Sequence, residues 1–349
     1  MSAKIFHIPF IAANASLLTL HSLLQRNPQP GSSAPDDYPS LKHHKDLPSF
    51  LSDPDLDLVI ISTPPNSHFE FAKSALQAGK HVLVEKPFVP TVQQAQTLCG
   101  ISKVTEKFLC VFQNRRWDAD FLTVQKLLAE GKLGRVVEFE THFDRYRPDR
   151  PTTWKWQLGI DDGGGPVFDL GSHLIDQVYV LFGMPSAVFA KFMNQRDGTL
   201  GGSAPDGFMA MLSYDNGLVA IVRVGIMSVE KRQPRFWIRG TKGSYHKAGL
   251  DSQEDQLKAG MTCVDPKFGR EDAEWDGALT TIGDGGDMKE ERCQNVEPET
   301  YKKVLERFAK AIQDGKREDV PVKGEDATDV LRIIEAVIES AKTSSEVKI

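Results

Sequence analysis

Residues 58–87 read LVIISTPPNSHFEFAKSALQAGKHVLVEKP, a complete strand–helix–strand unit. Leu58–Thr63 is a short apolar run rich in β-branched residues, as suits a strand buried on both faces. Pro64–Ser67 breaks the run and offers capping side chains. Helical spacing follows over His68–Ala78, with Phe69, Ala72 and Leu76 on one side, and Gly79 stands where a helix ordinarily stops. His81–Glu85 is a second apolar strand. Two parallel strands joined by a helix predict a doubly wound α/β sheet, in which ligands bind beyond the carboxyl ends of the strands. Those ends are Thr63-Pro64-Pro65-Asn66 and Glu85-Lys86-Pro87.

A lone lysine is ordinarily a solvated surface group. Lys86 differs because it ends a strand and is followed at once by a proline that restrains the turn. A second constellation lies downstream, GGGPVFDLGSHLID over residues 163–176. Its glycines let the backbone run close to a ligand. Asp169 and His173 are four apart and share one face of a helix, where the carboxylate can orient the imidazole. Asp176 lies on a nearby face. The same pattern also suits a capped helix that packs Leu170, Leu174 and Val178 with a satisfied histidine. A metal pair would need a third ligand, and none stands at a telling spacing.

Both constellations resemble motifs of the Gfo/Idh/MocA oxidoreductases. The first resemblance rests on Thr-Pro-Pro-Asn, Ala-Gly-Lys-His and Glu-Lys-Pro together, and the second on Gly-Gly-Gly followed by Asp-Leu-Gly-Ser-His-Leu-Ile-Asp-Gln. The resemblance implies a Rossmann-type α/β domain followed by an α+β domain with an open antiparallel sheet. It implies NAD(P)-dependent hydride transfer to or from a sugar, a polyol or another small hydroxy or carbonyl compound. It also implies catalytic roles for Lys86, Asp169 and His173. His173 would take the hydroxyl proton, Lys86 would hold the substrate oxygen, and Asp169 would fix the imidazole tautomer. Thr63, Pro64, Asn66, Glu85, Lys86 and Gln113 resemble cofactor contacts, and Arg145, Tyr146, Trp154, Trp156 and Asp176 are candidates to line a substrate pocket. A non-catalytic nucleotide-sensing regulator of the same fold is the rival reading; the presence of both Lys86 and His173 favours the enzyme.

The family pattern opens with a strand and a G-x-G-x-x-[GA] turn. Here Ser2 and Ala3 match only its tail, so the expectation is an N-terminally truncated Rossmann half, or an inactive product, with a weakened grip on the cofactor pyrophosphate. At the next strand end, Ser22-Leu23-Leu24-Gln25-Arg26-Asn27 carries no carboxylate for a ribose 2′-hydroxyl. Arg26 can instead meet a 2′-phosphate, which favours NADP over NAD.

The remaining chain fits this frame. With 349 residues, two ordinary domains are expected, divided into 1–115 and 116–349. Ile5–Ala13 reads as a helix perturbed by Pro9, Leu17–Leu24 as a strand, and Asn27–Lys45 as a loop. Val137–Asp144 alternates apolar and polar residues, and further strands are expected at Ala187–Asn194, Phe208–Tyr214, Leu218–Met227 and Arg235–Arg239. Asp215-Asn216-Gly217 is a hairpin turn. Gly249–Val296 shows no assignable pattern, and Glu299–Asp314 and Asp326–Lys342 are helices. Apolar residues on both faces of the later strands predict a homo-oligomer, most simply a dimer.

A net charge of −6 and a pI near 5.9 argue against a nucleic-acid or anionic-membrane partner. The four cysteines are widely spaced, as in reduced intracellular proteins. No apolar run reaches the length of a membrane span. Pro9, Asn14 and His21 interrupt the only apolar stretch near the N-terminus, which argues against a signal peptide. A cytoplasmic protein with a small-molecule substrate is expected.

Overall fold

The computed structural model describes residues 3–150, 158–198, 204–283 and 285–349. Strands β3 (Leu58–Ile61), β4 (His81–Val84) and β5 (Leu109–Val111) form a parallel sheet in that order. The connecting helix runs over Pro65–Gln77. It starts earlier than its apolar spacing suggests, because a proline in the first turn loses no hydrogen bond. Helix Val92–Val104 links β4 to β5, and the side chain of Thr91 caps it.

A second, separate parallel pair precedes this sheet: β1 (Ser22–Leu24) and β2 (Lys42–His44). The strand expected over Leu17–Leu24 is therefore only three residues long, since just those residues find a partner. The supposed loop 27–45 contains β2 and a short helix, Ala34–Asp37, capped by Ser33. Three-residue strands among prolines and serines leave no periodic signal. The N-terminal helix forms as expected but begins with a π turn, Ala3–His7, before Ile8–Ala13. Pro9 has no N–H to return to the preceding turn, which accounts for the irregular start.

The second half holds a nine-stranded sheet. Its further strands are β6 (Val136–Asp144), β7 (Ala187–Met193), β8 (Gly207–Ser213), β9 (Val219–Gly225) and β10 (Pro234–Gly240). They are joined by β11 (Gly243–Ala248), β12 (Gly277–Ile282), β13 (Met288–Cys293) and β14 (Val347–Lys348). The order is β13-β12-β11-β10-β6-β9-β8-β7-β14. Neighbours are antiparallel except β6 and β9, so the open sheet is mixed at this one pairing. The chain leaves β6 for the long glycine-rich excursion and two more strands before returning beside it, and such a crossover permits a parallel pair. At the β8–β9 hairpin Gly217 has φ +82°, and Asn216 Oδ1 accepts from Leu218 N–H at 3.0 Å.

The unassigned stretch supplies β12 and β13. Lys289, Glu290, Glu291 and Arg292 are exposed on β13, and these charges blunt the sheet edge while hiding any alternation. Helices Ser172–Phe182 and Gly324–Thr343 cover one face of the sheet. The latter helix also touches the first half. Glu335 accepts from Val92 N–H at 2.9 Å, and Ser340 Oγ accepts from Ala190 N–H at 2.8 Å. One continuous apolar core runs through both halves. On the other sheet face Phe189, Met209, Met211 and Trp237 are exposed.

Candidate active site

The turn after β4 is fixed from three sides. Lys86 N–H donates to Glu85 Oε2 at 3.1 Å, and Glu85 Oε1 lies 2.8 Å from His7 Nε2. The Lys86–Pro87 peptide is cis. Beneath it, fully buried His68 sets one ring nitrogen 3.0 Å from the Pro87 and Phe88 carbonyls and the other 2.8 Å from the Thr63 carbonyl. His68 thus ties the end of β3 to the end of β4, a role its place in a helical run did not reveal.

The glycine run crosses from the second half onto this turn. Gly163 and Gly165 have φ of +79° and +82°, where a side chain is strained. A Cβ on Gly163 would stand 3.2 Å from Pro65, and one on Gly164 would overlap the Leu158 carbonyl. Only bare backbone allows this approach. The chain then winds through a π turn, Val167–Gly171, into helix Ser172–Phe182.

That π turn changes the expected pairing. Its wider pitch shifts the facing of residues four apart, and Asp169 does not meet His173. Lys86 Nζ instead donates to the Asp169 carbonyl at 2.8 Å and to its Oδ1 at 3.3 Å. His173 is buried, and its Nδ1, sealed from solvent, has no partner among the described residues. Burial holds its pKa well below the ordinary 6.5, and the charges of Lys86, Arg115, Arg235 and Arg145 add to that effect. The imidazole is therefore neutral, beside cations.

Arg115, at the end of β5, is buried and paired with Asp118 and Glu254. Arg145 follows β6 and stacks on Phe143, with its guanidinium carbon 4.5 Å from the ring centre. Among the described residues Arg145 has no ion pair. Burial and neighbouring Arg147 lower its pKa. Arg235 is fully buried and donates to Asp120 at 2.8 Å, Thr141 at 2.9 Å and Gln177 at 2.8 Å. Arg115 follows close on Gln113, but nothing in the pattern of β10 pointed to Arg235.

Asp176 is buried, and Arg116 takes up its carboxylate at 2.7 and 2.9 Å. Tyr146 is exposed at the end of β6. Trp154 and Trp156 lie outside the described residues, as does Ser2.

Thr63, Pro64 and Asn66 are exposed at the mouth beyond β3. Gln113 is buried after β5, and its Oε1 has no partner among the described residues. An orphaned amide oxygen among strand ends fits the carboxamide end of a nicotinamide. Arg26 is exposed after β1, 5.9 Å over the Phe71 ring, and Ala3 opens the first helix. Elsewhere, His21, Asp53 and Asp55 bring possible metal-ligand atoms together, but Asp53 already binds the Lys42 ammonium at 2.9 Å.

Two family profiles match this chain. One, described as an oxidoreductase family, NAD-binding Rossmann fold, covers residues 3–113. The other, an oxidoreductase family C-terminal alpha/beta domain, covers 125–349. An uncharacterized oxidoreductase of Schizosaccharomyces pombe is 37% identical over 100% of this chain and 97% of its own length. The scyllo-inositol 2-dehydrogenase (NADP(+)) IolW of Bacillus subtilis is 35% identical over 98% of this chain and 91% of its own. The crystal structure of an oxidoreductase from Bacillus cereus superimposes with a TM-score of 0.87 at 29% identity, covering 100% of this chain and 96% of that one.

Proposed function

We infer the chemistry from one premise: this chain belongs to the Gfo/Idh/MocA oxidoreductase family. It is an oxidoreductase with an NAD(P)-binding Rossmann domain, and its substrate is a sugar, a polyol or another small hydroxy or carbonyl compound. The bound nicotinamide supplies the hydride acceptor or donor; the chain's residues manage the proton and the oxygen. His173, neutral and buried, takes the hydroxyl proton as the carbonyl forms, through Nε2, since Nδ1 is sealed. Lys86 holds the same oxygen and stabilises its developing negative charge. Asp169 holds Lys86 in place. Arg145 and Tyr146 meet the rest of the substrate. Gln113, Glu85, Asn66, Thr63 and Pro64 form the nicotinamide end of the cofactor site.

The observation that carries this reading is the contact of Lys86 with Asp169 across the two halves, with His173 beside it. The preferred cofactor is NADP. Arg26 stands at the end of β1 with no acidic neighbour in that turn, and the NADP(+)-dependent relative IolW supports the same choice. The boundary near residue 115, a homodimer and a cytoplasmic place of work belong to the same reading. The exposed apolar sheet face supports the dimer, and four free cysteines support the location.

The test is NADPH formation with a panel of inositols and sugars. Turnover with a polyol is expected, with a higher kcat/KM for NADP than for NAD. Lys86→Ala and His173→Ala should each lower kcat by about 100-fold or more. Cofactor binding without turnover of any hydroxy or carbonyl compound, or substitutions that leave kcat intact, would sink the assignment.

A further inference from the structure

Two guanidinium groups lie against one aromatic ring near His173, and they differ in charge balance. The guanidinium carbons of Arg115 and Arg145 stand 5.0 and 4.5 Å from the ring centre of buried Phe143. Both charges reach buried His173. Arg115 is matched twice: Nη1 donates to Asp118 Oδ2 at 3.1 Å, and Nη2 donates to Glu254 Oε2 at 2.5 Å. Arg145 is half-buried, and among the described residues its guanidinium has neither a hydrogen bond nor an ion pair. The acids around it are already engaged. Glu254 gives its other oxygen to Lys258 at 2.5 Å, Asp169 Oδ1 accepts from Lys86 at 3.3 Å, and Asp144 Oδ2 lies 3.1 Å from His142 Nδ1. Arg147, two residues on, is exposed, so water carries its charge.

Arg145 is nonetheless held in place. Its N–H donates to the Gly225 carbonyl at 2.9 Å, and its own carbonyl accepts from Ser228 N–H at 3.1 Å. The ring of Phe143 supports the guanidinium beyond that anchored backbone. A freely solvated surface arginine has neither support. An ordered cation drawn partly out of water costs free energy until a negative charge meets it. A neutral hydroxyl brings only a dipole and leaves that charge unmatched. A phosphate dianion brings two charges to one uncompensated cation. A carboxylate brings one, and its two oxygens match the fork of the guanidinium.

We propose that Arg145 binds a carboxylate of the substrate, and that the substrate is therefore a sugar acid of the aldonate or uronate class. This rests on the oxidoreductase reading above. Lys86 and His173 act on the reacting hydroxyl, while Arg145 holds the acid group elsewhere on the same molecule. The carboxylate itself is not altered. Its contact with a fixed guanidinium sets which hydroxyl is presented to Lys86 and the nicotinamide.

The test compares kcat/KM for acids and their neutral counterparts with NADP: gluconate with glucitol, galactonate with galactitol, glucuronate with glucose, and galacturonate with galactose. The best acid should exceed its neutral partner by about 30-fold or more, chiefly through KM. Arg145→Met should bring that ratio to within about threefold of one, and Arg145→Lys, which keeps the charge without the fork, should restore part of it. Arg147→Met should keep the preference. A second readout needs no turnover: gluconate and galactonate, which NADPH does not reduce, are titrated into the chain with NADPH and followed by its fluorescence. Saturable binding is expected, weakened about tenfold or more by Arg145→Met. An acid no better than its neutral partner, a preference that survives Arg145→Met, or one lost equally in Arg147→Met would overturn the proposal, while turnover of the neutral compounds would leave the oxidoreductase reading standing. Arg145-dependent binding without turnover of any compound would sustain the carboxylate site and sink that reading instead. Neither turnover nor saturable binding of any acid would overturn both.

Discussion

His173 illustrates how environment sets chemistry at a single residue. Its folded pKa lies well below the ordinary 6.5, from burial first and then from the surrounding cations. Two consequences share one sign. Between that depressed value and about 6.5 the unfolded chain binds the proton and the folded one does not, so stability contributed by the neutral imidazole is complete above 6.5 and is lost as pH falls below it. Over the same range the base stays free of a proton. We expect kcat/KM for alcohol oxidation to stay flat down through pH 6.5 and to fall only at lower pH; a midpoint at 6.5 in the pH–rate profile would show that the imidazole is not shielded as described. The residue types were legible in the sequence, but their partners were not. Asp169 was expected on the imidazole and instead holds Lys86, because a π turn cannot be read from spacing that an α-helix would also satisfy.

At the scale of elements, the sequence was informative wherever one strand or helix had a single wet face. The hairpin at Asn216-Gly217, β6 and the two late helices all stand where the pattern put them. It was silent where pairing alone makes the strand, as in β1 and β2, or where both faces carry charge, as in β13. Joints between elements were also hidden. Arg116, after β5, binds Asp176 in helix Ser172–Phe182 with both carboxylate oxygens and stands 3.6 Å from Asp326. Removing the cation leaves a buried carboxylate unpaired. Arg116→Ala should therefore cost about 3–5 kcal/mol of unfolding free energy, read as a lower denaturant midpoint. Arg116→Ala paired with Asp176→Asn should recover a good part of it. A single substitution costing under about 1 kcal/mol would place this pair among ordinary surface contacts.

At the scale of the whole molecule, the two faces of the large sheet differ. One packs on helices. The other exposes Phe189, Met209, Met211 and Trp237, apolar side chains that a contact between copies would cover. We expect a two-fold dimer joined through this face, since an isologous contact covers both copies at once. Met211→Glu should convert it to monomers in light scattering at micromolar concentration while each chain keeps its fold. A wild-type mass already equal to one chain would refute the dimer. Helix Gly324–Thr343 sets a different kind of constraint. It rests on Val92 of the first half and on Ala190 of the second, yet it is made long after both. During synthesis on the ribosome the Rossmann strands and most of the large sheet emerge before the piece that clamps them together. A nascent chain paused before residue 324 would hold Lys86 and Asp169 without the helix that rests on both halves.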